Sequence, residues 1–511
     1  MKTNNKIESS AKCCWFSWHV FGVILIILAT VIFLFFPELF QHQLTKNFVL
    51  TPESRSYSEW KKPTIPLYMD VYVFNWTNPH EIKNKSTKPN FQQLGPYRFR
   101  VHPDKLNIKF FEHNSTVSYN MFSKYFFEPD GSNGSLSDIW TTINMVPLGA
   151  GKKAENWGYF RQKAVSMAFS TYKEEVHITK TIQELLFDGY EDDMVKLSTI
   201  FTNDTPFTRV GYLITKNRTN HLSGLYNVNT GAENISELGS IKRFNHLSEF
   251  PKFKDECRNL KGSAGEFFPP NSSSNESIYL FLPEMCRSIP YEYEKEVTLH
   301  GLIGRRFSVG SKALDNGTIH PENKCYANQD DVMPSGQFNI TTCNYDFPIY
   351  MSLPHFYNAD QFYIDAVDGM NPVKEKHENF ITLDQKTGIT LEVTARFQTN
   401  LLLRDYGEYI NLYQDVPRVF MPIFYVEQKF IMDDDKASQI KLALNIPFIG
   451  QIIGVIIFAL GIFMISFHYF KSFFTSKTSN DSKSLPLKPG ATTVIRDVEM
   501  NPLMKKTNLK Q

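Results

Sequence analysis

The stretch Val20-Phe-Gly-Val-Ile-Leu-Ile-Ile-Leu-Ala-Thr-Val-Ile-Phe-Leu-Phe-Phe36 decides how this chain must be arranged. It carries no charge, and the charge-free run around it extends from Cys13 to Phe36. At about 1.5 Å per residue, a helix of this length crosses a hydrocarbon core of roughly 30 Å when flanking residues contribute. A second charge-free run, Leu442 to Phe470, contains IPFIGQIIGVIIFALGIFMISF, and nothing between the two is comparable. The runs predict membrane helices over residues 19–36 and 446–469, a domain over 37–445, and tails over 1–18 and 470–511. A cleaved signal peptide is the alternative for the first run. Its apolar part exceeds the roughly 7–15 residues of such signals, and PELFQH offers no small-residue cleavage site. An uncleaved anchor is therefore expected.

Charge sets the expected orientation. Lys2, Lys6 and Lys12 oppose Glu8 in the first tail, Lys471, Lys477, Lys483 and Lys488 follow the second run, and Asp433-Asp434-Asp435 precedes it. Positive charge favours the cytosolic side, so both tails are expected there. The middle segment holds N-x-[ST] sequons at Asn75, Asn84, Asn114, Asn133, Asn203, Asn217, Asn234, Asn271, Asn275, Asn316 and Asn339. Such crowding fits an extracellular or lumenal, N-glycosylated domain. Asn480 also fits the pattern but falls in the expected cytosolic tail. Cys257, Cys286, Cys325 and Cys343 give the middle segment an even cysteine count, as an oxidising compartment favours. Their spacing leaves three pairings open. Cys13 and Cys14 adjoin the first run on its cytosolic side, positioned for palmitoylation, with two unmodified thiols as the alternative.

Composition narrows the class. The 511 residues carry a net charge of +1, which favours neither nucleic acid nor an anionic surface. Mean hydropathy is −0.30, so most of the chain faces water and a polytopic transporter is excluded. Aromatics make up 14% of residues, with 43 Phe, which favours a large strand-rich core.

No internal repeat divides the middle segment, which reads as one domain. In Ile389-Thr-Leu-Glu-Val-Thr-Ala-Arg-Phe-Gln398, Ile389, Leu391, Val393, Ala395 and Phe397 share one face, and Thr390, Glu392, Thr394, Arg396 and Gln398 the other. This alternation predicts a half-buried antiparallel strand. Leu67 to Phe74, Lys109 to Tyr119, Tyr279 to Leu282 and Val419 to Val426 predict further strands. Gly95-Pro96, Asp130-Gly131 and Asp315-Asn316-Gly317 read as turns. Trp157 to Val176 differs: Phe160, Ala164, Val165, Ala168 and Tyr172 recur at three- and four-residue steps, which predicts an amphipathic helix. Thr181, with Glu184 three residues on, caps the start of another. Lys152, Lys153, Arg161, Lys163 and Lys173 make the polar side of the helical stretch basic. That is either a solvated face or an anion-attracting recognition surface.

Catalytic constellations are missing. There is no G-x-S-x-G elbow, Gly149-Ala-Gly-Lys-Lys153 lacks phosphate-loop spacing, and His80-Glu81 and His377-Glu378 lack a second histidine for a zinc helix. An enzyme is not expected, nor a metal or other cofactor, nor a nucleic-acid partner. Gly450-x-x-x-Gly454 permits close helix approach, either to the first membrane helix or between two copies in a homo-oligomer.

Six stretches together resemble the class B scavenger receptor family. They are EWKKPTIPLYMDVYVFNWTNP (59–79), LGPYRFR (94–100), TIQELLFDGYED (181–192), MSLPHFYNAD (351–360), VDGMNPVKEKHENFITLDQKTGI (367–389) and RFQTNLLL (396–403). They run in the family's order along nearly the whole middle segment. The resemblance implies a mainly β fold with α: an antiparallel β-barrel ectodomain, an apical three-helix bundle far from the membrane, and two transmembrane helices. It also implies that the bundle binds lipoproteins, anionic phospholipids or a lysosomal enzyme, and that a hydrophobic tunnel carries fatty acid or sterol toward the bilayer. The basic stretch from Trp157 to Lys173 falls where that bundle belongs. Lipid transfer needs no nucleophile, only an apolar conduit worth about 0.8 kcal/mol per buried CH₂; a solid core is the alternative.

The resemblance further implies the bridges Cys257–Cys325 and Cys286–Cys343. Family members commonly pair further cysteines between the positions of Cys325 and Cys343. Here Ala327 and Asp330 to Val332 hold none, so that loop is expected to be less tethered. Glu499-Met-Asn-Pro-Leu503-Met504 resembles the acidic dileucine-type sorting signal of the family's lysosomal member, to be read by a cytosolic adaptor. That member senses acid pH through a histidine in its bundle; no histidine occurs here between His113 and His177, and the matching position is Tyr159. The expectation is a receptor and conduit for lipids or lipid-bearing particles at the lysosomal, endosomal or plasma membrane. The other reading is a lysosomal membrane glycoprotein that sorts a soluble lysosomal protein or maintains the membrane.

Overall fold

Two long helices bracket the strands: α1 (Asn4–Phe48) and, near the other end, Asp434–Asp481. The computed structural model describes residues 4–63, 66–196, 208–214, 223–270, 277–327 and 331–481. The chain divides into a unit of residues 1–40 with 446–511 and a unit of residues 41–445.

In the first unit the two apolar helices pack at glycines. A Cβ on Gly461 would lie 2.9 Å from the carbonyl oxygen of Gly22, and one on Gly454 would lie 3.3 Å from that of Ala29. Ala29 is buried in this contact. Lipid gives no hydrophobic drive for helices to associate, so close backbone approach and dispersion must hold them. Gly450 and Gly454 thus face the first membrane helix.

In the second unit α2 (Arg55–Lys61) precedes the strands β1 (Leu67–Trp76), β2 (Phe91–Phe111), β3 (Thr116–Phe127), β4 (Ile139–Ile143), β5 (His177–Thr181), β6 (Ser223–Asn229), β7 (Ile241–Phe244), β8 (Ile278–Leu282), β9 (Arg287–Leu299), β10 (Leu302–Ser308), β11 (Phe338–Asn339), β12 (Ile349–Ser352), β13 (Phe380–Asp384), β14 (Thr390–Leu403) and β15 (Val419–Ile431). The main sheet runs β7-β6-β3-β2-β1-β15-β14-β13-β10-β9-β8, with β12 added to β14. Its pairings are antiparallel. Ser263 bridges the two ends, pairing with Ser240 beside β7 and with Leu280 in β8. The sheet is therefore a nearly closed barrel, and closure removes the exposed edges that a large sheet would otherwise present. Around it stand α3 (Met145–Ala154) and α4 (Tyr159–Tyr172), with β4 paired to β5 beside them.

Several expectations change in the structure. Lys109 to Tyr119 is not one strand but the end of β2, a one-turn helix at Glu112–Asn114, and the start of β3. Ser115 takes φ 51° there, which reverses the chain. Gly95-Pro96 is not a turn between strands. It forms a bulge inside β2, two residues opposite Tyr72, and Gly95 takes φ +104°, which a side chain would strain. Strand β14 is buried on both faces from Arg396 to Leu403, and Thr394 is buried as well, so most of its polar row is not solvated.

That polar row is satisfied by partners remote in sequence. Arg396 Nε meets a Glu427 carboxylate oxygen, and Arg396 Nη1 donates to the Glu378 carbonyl at 2.9 Å. Gln398 Oε1 accepts from the backbone N–H of His355 at 2.7 Å, and its amide donates to Asn400 Oδ1 at 2.7 Å. His355 stacks on His377 with ring centroids 4.4 Å apart. Burial pushes His355 down to about 3 and His377 down to about 4, so both rings are neutral acceptors: His355 Nδ1 takes the Asn371 N–H and His377 Nδ1 the Val373 N–H. A second buried cation, Lys105, pairs with Glu266 at 2.5 Å and donates to the Trp60 carbonyl. Glu266 in turn accepts from Trp60 Nε1 and the Tyr119 hydroxyl, both at 2.9 Å, which fastens α2 to β2 and β3.

Candidate ligand-recognition surface

Helix α3 starts at Asn144, whose Oδ1 accepts from the Val146 N–H. Its last carbonyls, Ala154 and Glu155, are met by Gln162 Nε2 at 3.1 and 2.9 Å. Ser166 Oγ accepts the Asn411 N–H at 3.2 Å, and Phe169 lies edge-on to Tyr413. These three, Gln162, Ser166 and Phe169, are the buried residues of α4. On its inner side α4 answers backbone groups with Gln162 and Ser166, whose polar side chains therefore belong inside, and packs Phe169, Val165 and Ala168 against the core.

The outer side of α4 nevertheless exposes an apolar row. Phe160 is 83% exposed and Met167 72% exposed, with exposed Ala164 between them and Thr171 one turn beyond. An amphipathic helix ordinarily turns such a row to the core. Here the expected row splits: Val165 and Ala168 are half-buried, while Phe160, Ala164 and Tyr172 face out. The helix is also shorter than Trp157 to Val176, because Lys173 turns left-handed and ends it.

The five basic residues divide into two groups. Lys152 pairs with Glu155 at 2.6 Å, and Glu155 also holds Arg404 at 2.5 Å, so Lys152 ties α3 to the chain after β14. Lys163 lies 5.3 Å from the ring of Tyr409, which meets Tyr159 edge-on. Lys153, Arg161 and Lys173 are exposed and make no ion pair among the described residues. Arg161 lies within α4 and Lys173 at its end, so the exposed surface of this helix combines apolar groups with cations that make no ion pair among the described residues.

One carboxyl in this region titrates near neutrality. Burial, with Asp192 and Asp193 nearby, pushes Glu174 up to about 7, against the Asn144 amide that donates to it at 2.9 Å. Sequence reasoning looked for a histidine here and missed this group, because its shift comes from residues far along the chain. The box at Thr181 is present: Glu184 accepts from Thr181 N and Oγ1 at 3.0 and 2.8 Å, and Thr181 Oγ1 accepts the Glu184 N–H. It opens a π-turn, Glu184–Asp188, rather than an ordinary helix. Of the three helices implied, α3 and α4 are two; residues 193–196 are helical, and 197–207 lie outside the described residues.

The remaining singled-out residues are dispersed. Asn84, Asn114, Asn133 and Asn234 are exposed. Asn75, Asn316 and Asn339 are half-buried, and their side chains bond to Thr141 N, the Met333 carbonyl and Thr341 N. Asn203, Asn217, Asn271, Asn275, Glu499, Leu503 and Met504 lie outside the described residues, as does Asp330. Disulfides join Cys257 to Cys325 and Cys286 to Cys343. Cys13 and Cys14 fall on α1.

Comparison with known proteins bears on the whole chain. The sequence model of the CD36 family matches residues 20–471. Protein peste of Drosophila melanogaster is 39% identical over 85% of this chain and 79% of its own. Lysosome membrane protein 2 of Rattus norvegicus is 30% identical over 89% of this chain and 94% of its own. Scavenger receptor class B member 1 of Bos taurus is 29% identical over 83% and 82%. The last two names denote a membrane protein and a receptor. With two terminal helices long and apolar enough to span a bilayer and a nearly closed antiparallel barrel between them, the chain is a two-span membrane protein that belongs to the CD36 family.

Proposed function

We propose that this protein is a class B scavenger-type receptor. It binds lipids or lipid-bearing particles through the outer face of α4 and passes apolar cargo, such as fatty acid, sterol or phospholipid, through the barrel domain to the membrane. The observation that carries this reading is the inverted helix. Phe160 and Met167 stand in water on a helix that also exposes Arg161 and ends at exposed Lys173, with exposed Lys153 on α3, a combination that suits the mixed apolar and anionic surface of a lipid particle. No nucleophile is required, because transfer of an acyl chain or sterol is driven by exchanging one apolar environment for another.

The reading includes a topology. Both tails are cytosolic, residues 37–445 are extracellular or lumenal, and the sequons there carry sugar. Cys257, Cys286, Cys325 and Cys343 remain oxidised in that compartment. Glu499, Leu503 and Met504 serve an adaptor that directs the protein to endosomes and lysosomes, and Cys13 and Cys14 are acylated beside the bilayer. The name lysosome membrane protein 2, carried by a relative, favours this residence.

The direct test is mass spectrometry of lipid retained by the full-length protein after purification in mild detergent, alongside uptake of labelled lipid by cells expressing it. Retained fatty acid, sterol or phospholipid and saturable uptake are expected. A protein that purifies folded but free of lipid, and confers no uptake, refutes the reading. Unchanged distribution after Leu503→Ala and Met504→Ala refutes the sorting signal alone.

A further inference from the structure

One buried cation, at the start of β9, has no counter-ion among the described residues. Arg287 opens β9 directly after Cys286, whose bridge to Cys343 holds the backbone in place. It is 5% exposed. Its guanidinium lies 3.9 Å from the centroid of the Tyr326 ring and 5.6 Å from that of Phe338. Nη2 donates to the Asn339 carbonyl at 2.5 Å, and Nε finds no acceptor among the described residues. Among the described residues no Asp or Glu pairs with it. The elements around it contribute two rings and a carbonyl, and burial lowers it only to about 10, so it stays charged at neutral pH.

Arg287 forms part of the wall of an open cleft, together with Tyr326, Gln337, Asn339 and Tyr350. Two carboxylates reach the same cleft, and both are engaged. Asp315 accepts the N–H groups of Gly317, Ile319 and His320, and Asp331 holds Arg418 Nη2 at 2.5 Å. Gln337 supplies a second unanswered donor: Asn400 occupies its Oε1, and its Nε2 makes no hydrogen bond among the described residues. A buried guanidinium is costly to leave uncompensated. Ring faces offset part of that cost. Water can answer a single donor, but it does not neutralise a charge where the dielectric is low. A planar carboxylate matches the fork of an arginine and also accepts from a neighbouring amide.

We infer that this cleft is an anion site that takes a carboxylate group, held by Arg287 with Gln337 as the second donor. No residue of α4 is among the described residues lining this cleft, and the site stands whether or not α4 binds lipid. The carboxylate belongs either to a small aliphatic acid or to the head of a fatty acid.

The test is isothermal titration of full-length protein in detergent micelles, first exchanged into chloride buffer, with propionate and with oleate. Saturable propionate binding is expected. Arg287→Lys, which keeps the charge but loses the fork, weakens it about tenfold. Gln337→Leu weakens it about fivefold, the loss of one neutral hydrogen bond. Oleate binding much tighter than propionate, and equally sensitive to both variants, identifies a fatty-acid head; equal affinities identify a small acid. No saturable binding of either probe, or the same Kd in wild type and both variants, overturns the inference. Should Arg287→Lys fail to fold, Gln337→Leu decides alone, because it leaves the buried charge in place.

Discussion

The inverted face of α4 makes a prediction that separates recognition from folding. The perturbation is Phe160→Ser with Met167→Ser. Both residues are largely solvent-exposed, at 83% and 72%, so the double change alters stability by no more than about 0.5 kcal/mol per site. Complete burial of a Phe or Met side chain is worth about 1.5–3 kcal/mol. A lipid surface touches a helix from one side only and covers about half of what these residues expose. The pair then contributes about 1.5 kcal/mol to binding, or about tenfold in Kd. The assay is equilibrium binding of full-length protein in nanodiscs to vesicles of phosphatidylcholine with phosphatidylserine, with thermal unfolding as the control for fold. Lys153→Glu with Arg161→Glu is the companion variant. Its loss should shrink as salt rises, because exposed charges are screened beyond a Debye length of about 8 Å at 0.15 M, whereas the Ser pair should be salt-independent. A Kd within twofold of wild type for the Ser pair, with an unchanged melting temperature, refutes the assignment of this face.

Further outcomes follow from the buried polar groups. His377 has a folded pKa near 4 against an ordinary 6.5, so the unfolded chain takes up a proton first as pH falls. Relative to His377→Asn, the wild type should lose stability from about pH 6.5 down to about pH 4, read as the difference in urea midpoints. Glu174 has the opposite sign: its folded pKa is raised to about 7 from 4.5. Relative to Glu174→Gln, the wild type should gain stability as pH falls from about 7 to about 4.5, and a flat difference across that range removes the shift. Arg396→Leu leaves Glu427 buried with only Lys429, at 2.7 Å, to answer it, and should cost about 3–5 kcal/mol by denaturant titration. Arg396→Leu combined with Glu427→Leu should cost less than the single change, since no uncompensated charge remains.

Much of the architecture is local and therefore legible. Two apolar runs specify spans wherever they fall, because the bilayer asks only for length and absence of charge. Alternation from Ile389 identifies β14 as a strand, since the pleat has period two. The box of Thr181 and Glu184 and the turn at Asp315 are made by side chains within a few residues of one another, so their chemistry is written in adjacent letters. Pattern alone does not reveal what lies across from an element. The period of α4 marks two faces, but which one is covered depends on the carbonyls of Ala154 and Glu155 and the amide of Asn411, the last of them 245 residues from its partner. The polar row of β14 reads as solvated until Glu427, Glu378 and His355 arrive to satisfy it. Glu174 and Arg287 look like ordinary surface charges until burial withdraws their water. Periodicity and capping come from the backbone's own geometry and need nothing else; burial and pairing are relations between distant segments, and only the nearly closed barrel brings those segments together.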